Sequence, residues 1–179
     1  MKLLIASDIH GSARWCRKLL EAWDREKPDR TVLLGDLLYH GPRNDLPEEY
    51  CPKEVLRMLN ERREQILCVR GNCDTEVDQM VLEFPILAEY AWIAAEGVTI
   101  FATHGHVFHR DHLPPLKAGE ILLQGHTHVP CWETVEGIRI LNPGSVSIPK
   151  QDSFRGYMTL KESVFSWKTL DGETYHILK

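Results

Sequence analysis

The chain has 179 residues, of which 43% are hydrophobic and 26% charged, a balance that fits one soluble globular domain over residues 1–179 and excludes fibrous and disordered classes. Its net charge of −5 comes with scattered basic residues, which leaves no electrostatic footprint for a long nucleic acid, and no apolar run approaches the ~20 residues of a membrane span. Five cysteines, an odd number without regular spacing, argue against a disulfide framework and fit a reducing, cytoplasmic setting.

Lys2 to Ala6 is a short apolar run bounded by polar residues and reads as a buried strand. It is too short for the apolar core of a signal peptide and runs into Asp8. Asp8 and His10 follow, then Gly11. Side chains two apart on an extended chain point the same way, so the pair is expected to converge just past the strand, the edge where open α/β sheets bind ligands. Ala13 to Arg25 carries Trp15, Leu19, Leu20 and Trp23 near helical spacing, with Ser12 as N-cap and Pro28 as the stop. Thr31 to Gly35 is a second strand ending in Asp36. Leu37 to Cys51, with Gly41, Pro42, Asn44 and Pro47, reads as a long loop of the functional kind. Pro52 opens a helix with the apolar face Val55, Leu56 and Leu59. Gln65 to Val69 is a third strand, which runs into Gly71-Asn72-Cys73-Asp74. The β-α-β-α-β order predicts parallel strands with right-handed crossovers.

The second half changes character. Glu76 to Phe84 reads as a short helix stopped by Pro85. Ala88 to Ala95 and Val98 to Thr103 read as strands joined at Glu96-Gly97, the second ending at His104-Gly105-His106. Glu120 to Gln124 is a strand ending at Gly125-His126-Thr127-His128. Short strands then alternate at Trp132 to Val135 and Ile138 to Leu141. Tyr157 to Leu160, Val164 to Leu170 and Thr174 to Leu178 read as closing antiparallel strands.

Five strand ends thus present Asp8 and His10, Asp36, Asn72, His104, and His126 with His128. No cysteine pair is among them, which argues against a structural zinc site. Carboxylate, amide and imidazole together suit Mn²⁺, Fe²⁺, Zn²⁺ or Co²⁺. Seven ligands are too many for one catalytic ion with an open position, and enough for two ions that share a bridging carboxylate.

These motifs, Asp8-x-His10, Gly35-Asp36, Gly71-Asn72-x-Asp74, His104 and Gly125-His126-x-His128, resemble the signature of the calcineurin-like metallophosphoesterases over the whole chain. His40-Gly41-Pro42-Arg43-Asn44 and the run Asn142 to Lys150 resemble, within that superfamily, the small bacterial phosphodiesterases of the YfcE type. The resemblance implies a four-layer α/β/β/α sandwich, two mixed sheets flanked by helices. It implies one metal on Asp8, His10, Asp36 and His128 and a second on Asp36, Asn72, His104 and His126, with Asp36 bridging. Mn²⁺ is the favoured ion, with Zn²⁺, Fe²⁺, Co²⁺ or Ni²⁺ as alternatives. The implied activity is hydrolysis of phosphate diesters by a hydroxide held between two ions ~3.5–4 Å apart. The alternatives are a phosphomonoesterase or nucleotidase, and an interaction scaffold that keeps the fold.

Asp36, Asn72, Cys73 and His106 make up the candidate catalytic set, and Arg43, Asn44 and Asn72 the candidate substrate contacts. Many relatives carry histidine where this chain has Cys73. A thiol can donate a proton but does not replace imidazole like for like, and Cys73 reads equally as a small buried residue. His106 reads as a substrate contact or as a support for the ligands, and Arg43 and Asn44 as phosphate contacts or loop packing. The expected partner is a small phosphate ester; apolar residues on the closing strands can support a homo-oligomer.

Overall fold

The computed structural model describes residues 1–179. The first half alternates as the pattern predicts: β1 (Leu3–Ala6), α1 (Ala13–Glu26), β2 (Arg30–Leu33), α2 (Pro52–Asn60) and β3 (Ile66–Cys68). β2 pairs in parallel with β1 on one side and β3 on the other. α1 starts where the Ser12 hydroxyl accepts from the Trp15 N–H. It ends where Lys27 turns left-handed, at φ 48°, and its N–H bonds the Trp23 carbonyl, one residue before Pro28.

The period-2 alternation of β1 decides which layer each side chain enters. Leu4 and Ala6 join Cys16, Leu19 and Trp23 of α1 and Val55 and Leu59 of α2. Leu3 and Ile5 point the other way and join Ile100, Ile121 and Leu141 of a second sheet. Each such aliphatic side chain, fully buried, contributes about 1.5–3 kcal/mol.

That second sheet is built from β4 (Tyr90–Ala95), β5 (Val98–Thr103), β6 (Ile121–Leu123), β7 (Cys131–Val135) and β8 (Ile138–Asn142). Its order is β4-β5-β6-β8-β7, with β5, β6 and β8 parallel and the two edge strands antiparallel. The chain then returns to the first sheet through β9 (Gly156–Lys161), β10 (Val164–Thr169) and β11 (Thr174–Leu178). β9 pairs antiparallel with β1, giving the order β11-β10-β9-β1-β2-β3. Two mixed sheets therefore face each other, as expected. Helices cover the outer face of the first. The outer face of the second, Phe101, Leu122, Ile138 and Ile140, is covered by Phe108, Leu113 and Leu116 of the irregular segment after β5. No helix of the chain is long and apolar enough to cross a membrane.

One element differs from its pattern. The helix expected over Glu76 to Phe84 is only α3 (Glu76–Gln79). Thr75 and Asp78 form a capping box at its start. The Gln79 side chain then bonds the carbonyls of Leu82 and Phe84 and the N–H of Ile86. One amide thereby satisfies backbone groups that a longer helix would have paired, and the chain turns.

On the helix-covered side of the first sheet, Glu26 closes a charged network. Its carboxylate takes Lys2 Nζ at 2.6 Å, Lys168 Nζ at 2.7 Å and the Tyr157 hydroxyl at 2.8 Å. Burial pushes the Glu26 carboxyl up, but the hydrogen bonds from Lys168, Lys2 and Tyr157 outweigh it and bring it from 4.5 to about 2. A carboxylate whose pKa is lower folded than unfolded stabilises fully above its unfolded value and ceases to do so as pH falls through the folded one. Glu26→Gln should cost about 1–2 kcal/mol at neutral pH. Denaturant titrations should show that difference between the two proteins shrinking as pH is lowered from about 4.5 towards 2.

Candidate metal centre

All seven ligands of the sequence reading gather where the strands of the two sheets end. Asp8 and His10 follow β1, Asp36 follows β2, Asn72 follows β3, His104 follows β5, and His126 and His128 follow β6. Convergence is not reached by extended backbone, as the spacing of Asp8 and His10 suggested. Asp8, His10, Asp36, His126 and His128 all sit at left-handed φ, between 49° and 64°, a region costing of order 1 kcal/mol each for residues with a Cβ. The chain leaves each strand and coils sharply, so that successive side chains are aimed inward. Backbones touch here as well. A Cβ on Gly71 would lie 2.3 Å from the Asp36 nitrogen and 2.1 Å from Asp36 Oδ1, so only glycine lets the ends of β2 and β3 meet.

Three imidazoles are fixed in one tautomer by carbonyl acceptors. His10 Nδ1 donates to the Tyr39 carbonyl at 2.8 Å, His104 Nδ1 to Leu34 at 2.6 Å, and His128 Nδ1 to Ile148 at 2.6 Å. A carbonyl only accepts, so in each neutral ring Nε2 presents its lone pair. These lone pairs point at one another and at oxygens. His10 Nε2 and His128 Nε2 are 3.2 Å apart, and lie 3.5 and 3.3 Å from Asp8 Oδ1. Asp8 Oδ1 is itself buried without a hydrogen-bond partner. In a second nest, His104 Nε2 lies 3.1 Å from Asn72 Oδ1, 3.4 Å from Asp36 Oδ2 and 3.2 Å from His126 Nδ1. Asp36 Oδ2 also lies 3.6 Å from His10 Nε2, so one carboxylate oxygen faces both nests.

Acceptors this close repel unless something positive sits among them. Bonds of about 2.0–2.2 Å from an ion to imidazole and carboxylate leave neighbouring ligand atoms roughly 3.0–3.6 Å apart. The donor set and its spacing therefore fit divalent ions. Protons answer the same demand. Burial pushes His104 down, but the Asp36 carboxylate and the Asp8 charge outweigh it and raise it to about 9. Burial pushes the Asp8 carboxyl up, while the neighbouring His10 and His128 rings hold it well below the usual carboxylate range. His126 is pushed down to about 4 by burial and by the positive His104.

The remaining candidates divide. Cys73 lines the same cavity as Asp36, Asn72, His126 and His128, with its Sγ 3.3 Å from Asn72 Nδ2. Burial, then the negative charge of Asp36, pushes its thiol up to about 12. Arg43 and Asn44 line the cavity from the long loop, and the Asn44 amide also braces that loop through the His40 carbonyl at 2.8 Å. The His106 ring lies 5.4 Å from that of His104 and 6.2 Å from that of His126, centroid to centroid.

Three features belong to motifs legible in the sequence, but their roles were not legible there. Asp74 is buried, and its carboxylate accepts the N–H groups of Asp36, Leu37 and Gly71 at 2.8, 2.9 and 2.8 Å. It sets the coil that carries Asp36, and its place in Gly71-Asn72-Cys73-Asp74, after a strand, was the available signal. Ser145 and Ser147 both donate to the Asp8 carbonyl, at 2.9 and 3.0 Å. Lys150 lines the cavity.

Comparison with known proteins agrees with this geometry. The model of the calcineurin-like phosphoesterase superfamily domain matches residues 1–163. Phosphodiesterase YfcE of Escherichia coli K12 is 45% identical over 174 residues, which is 97% of this chain and 95% of the relative. The solved structure of the E. coli YfcE phosphoesterase superposes with a TM-score of 0.95, covering 99% of this chain and 98% of its own, at 45% identity. More distantly, a phosphodiesterase of Methanocaldococcus jannaschii is 25% identical over 80% of this chain and 83% of its own. The zinc complex of Vps29 from Entamoeba histolytica shares the fold, with a TM-score of 0.61 at 22% identity over 99% of this chain and 98% of that one. The chain belongs to the calcineurin-like phosphoesterase superfamily and is a metal-dependent phosphoesterase.

Proposed function

We propose that the chain hydrolyses phosphate diesters at a dinuclear centre. Asp8, His10, Asp36 and His128 would hold one divalent ion, and Asp36, Asn72, His104 and His126 the other. The observation that carries this reading is Asp36 Oδ2, which faces His10 Nε2 at 3.6 Å and His104 Nε2 at 3.4 Å. Nitrogen and oxygen donors without a thiolate pair suit Mn²⁺, Fe²⁺, Co²⁺ or Zn²⁺, and the likeness to YfcE-type phosphodiesterases puts Mn²⁺ first among them. Such ions, when bound, supply Lewis-acid stabilisation of phosphoryl oxygens and lower the pKa of water into the neutral range.

The chain's own residues do the rest. The carbonyls of Tyr39, Leu34 and Ile148 hold three imidazoles in the ligating tautomer. Arg43, Asn44 and the Asn72 amide line the space where a phosphoryl group would rest. Cys73 keeps its proton at neutral pH, because its thiol is pushed up to about 12. So weak an acid gives little help to a poor leaving group. That favours diesters with a stable leaving group over unactivated monoesters, and the full ligand set favours catalysis over a scaffold.

Mn²⁺ added to chelator-treated protein should raise Tm in a concentration-dependent way. Calorimetry in buffers of different ionisation heat should register proton release, because the proton on His104 must leave for the ion to bind. Affinity should therefore strengthen as pH rises towards about 9. Bis(4-nitrophenyl) phosphate should be turned over with Mn²⁺ and not with excess chelator. Asp36→Asn should lower kcat by about 10³ or more, as expected when the charge shared by both ions is lost; near-normal rates in that variant would remove the bridging role. Cys73→His should raise kcat on 4-nitrophenyl phosphate by about tenfold or more relative to the diester, read as the ratio of initial rates on the two esters.

A further inference from the structure

The cavity beside the candidate ligands is also lined by two cationic residues, both exposed. Lys150 and Arg43 line it together with Asp36, Asn72, His126 and His128. They come from separate segments, Arg43 from the loop between β2 and α2 and Lys150 from the loop between β8 and β9.

The backbone at both positions is held by hydrogen bonds. The Lys150 N–H donates to the carbonyl of His128 at 3.3 Å, and its own carbonyl accepts the Ser153 hydroxyl at 2.7 Å and the Ser153 N–H at 3.1 Å. Lys150 is thus indexed to the backbone of a ligand residue. Arg43 lies in a turn closed by the Asn44 N–H on the Gly41 carbonyl at 3.3 Å and by the Asn44 side chain on the His40 carbonyl.

Neither cation has a carboxylate partner. Of the acidic residues in the Arg43 loop, Glu48 pairs with Arg14 at 2.9 Å and Glu49 with Arg17, and Asp45 alone lies outside an ion pair. Asp74 is turned away into three backbone N–H groups. A phosphodiester carries one negative charge, which the ion-binding residues would meet through their ions; Arg43 and Lys150, exposed at the cavity mouth, are left to meet a second anion.

We propose that Lys150 and Arg43 form an anion subsite beside the scissile phosphoryl group, and that the preferred substrate is a phosphodiester bearing a second anionic group, a phosphate or a carboxylate, on one ester arm. The proposal rests on the diester reading for its catalytic half.

The test uses two matched esters with the same leaving group, thymidine 5′-(4-nitrophenyl phosphate) with and without a 3′-phosphate, on the Mn²⁺-loaded protein. The 3′-phosphorylated ester should show kcat/KM about tenfold higher at low ionic strength, carried by KM, with the preference shrinking as salt is added. Lys150→Ala and Arg43→Ala should each cut that preference about threefold or more, and Lys150→Arg should retain it. Calorimetry gives a readout independent of turnover: thymidine 3′,5′-bisphosphate should bind more tightly than thymidine 5′-phosphate, and Lys150→Ala should narrow the gap. Equal kcat/KM for the two esters in the wild type, or a preference that Lys150→Ala leaves intact, would overturn the subsite while leaving the diester reading standing. If neither ester is turned over but the bisphosphate still binds preferentially and loses that preference in Lys150→Ala, the subsite stands and the diester reading falls.

Discussion

Buried lone pairs aimed at one another are the constraint from which the rest of this molecule follows. His10 and His128 face nitrogen to nitrogen at 3.2 Å, and His104 faces an amide oxygen, a carboxylate oxygen and a second imidazole within 3.4 Å. Three of these rings have already spent their N–H on a carbonyl. In a low-dielectric interior such an array is unfavourable unless positive charge enters it. The site therefore has two ways to be content, as a proton trap or as a metal nest, and the first appears in the upward shift of His104 to about 9.

Holding that array costs the backbone something, and the fold supplies the compensation close by. Five ligand residues are left-handed. Around them stand hydrogen bonds that favour the coiled path: three N–H groups on the Asp74 carboxylate, two serine hydroxyls on the Asp8 carbonyl, and the His126 N–H on Asp8 Oδ2 at 3.1 Å. The hydrophobic layers beneath, with Leu3 and Ile5 facing one way and Leu4 and Ala6 the other, fix where β1 ends and thus where its loop begins.

Much of this was legible from residue order. Short apolar runs each followed by a polar ligand give parallel strands with a shared functional edge, and the structure gathers the seven ligands there. A short apolar run placed β1 and near-helical spacing placed α1, because burial dictates those patterns directly. What stayed hidden depended on contacts between distant segments. The spacing of Asp8 and His10 suggested extended geometry, yet left-handed turns do the aiming, and φ leaves no trace in a pattern of apolar and polar letters. The shortness of α3 follows from the Gln79 side chain, whose three partners lie beyond the helix. That Lys150 lines the cavity became visible only once the loop after β8 was seen against His128.

The ligands are divided between the sheets: Asp8, His10, Asp36 and Asn72 issue from one, and His104, His126 and His128 from the other. An ion held by both groups would act as a rivet through two plates, at a rim that the His104 bond to the Leu34 carbonyl and the His126 N–H on Asp8 Oδ2 already join. Loading the centre would then tighten the whole sandwich along that rim, and mechanical or thermal opening of the filled protein would begin at the opposite, unriveted margin.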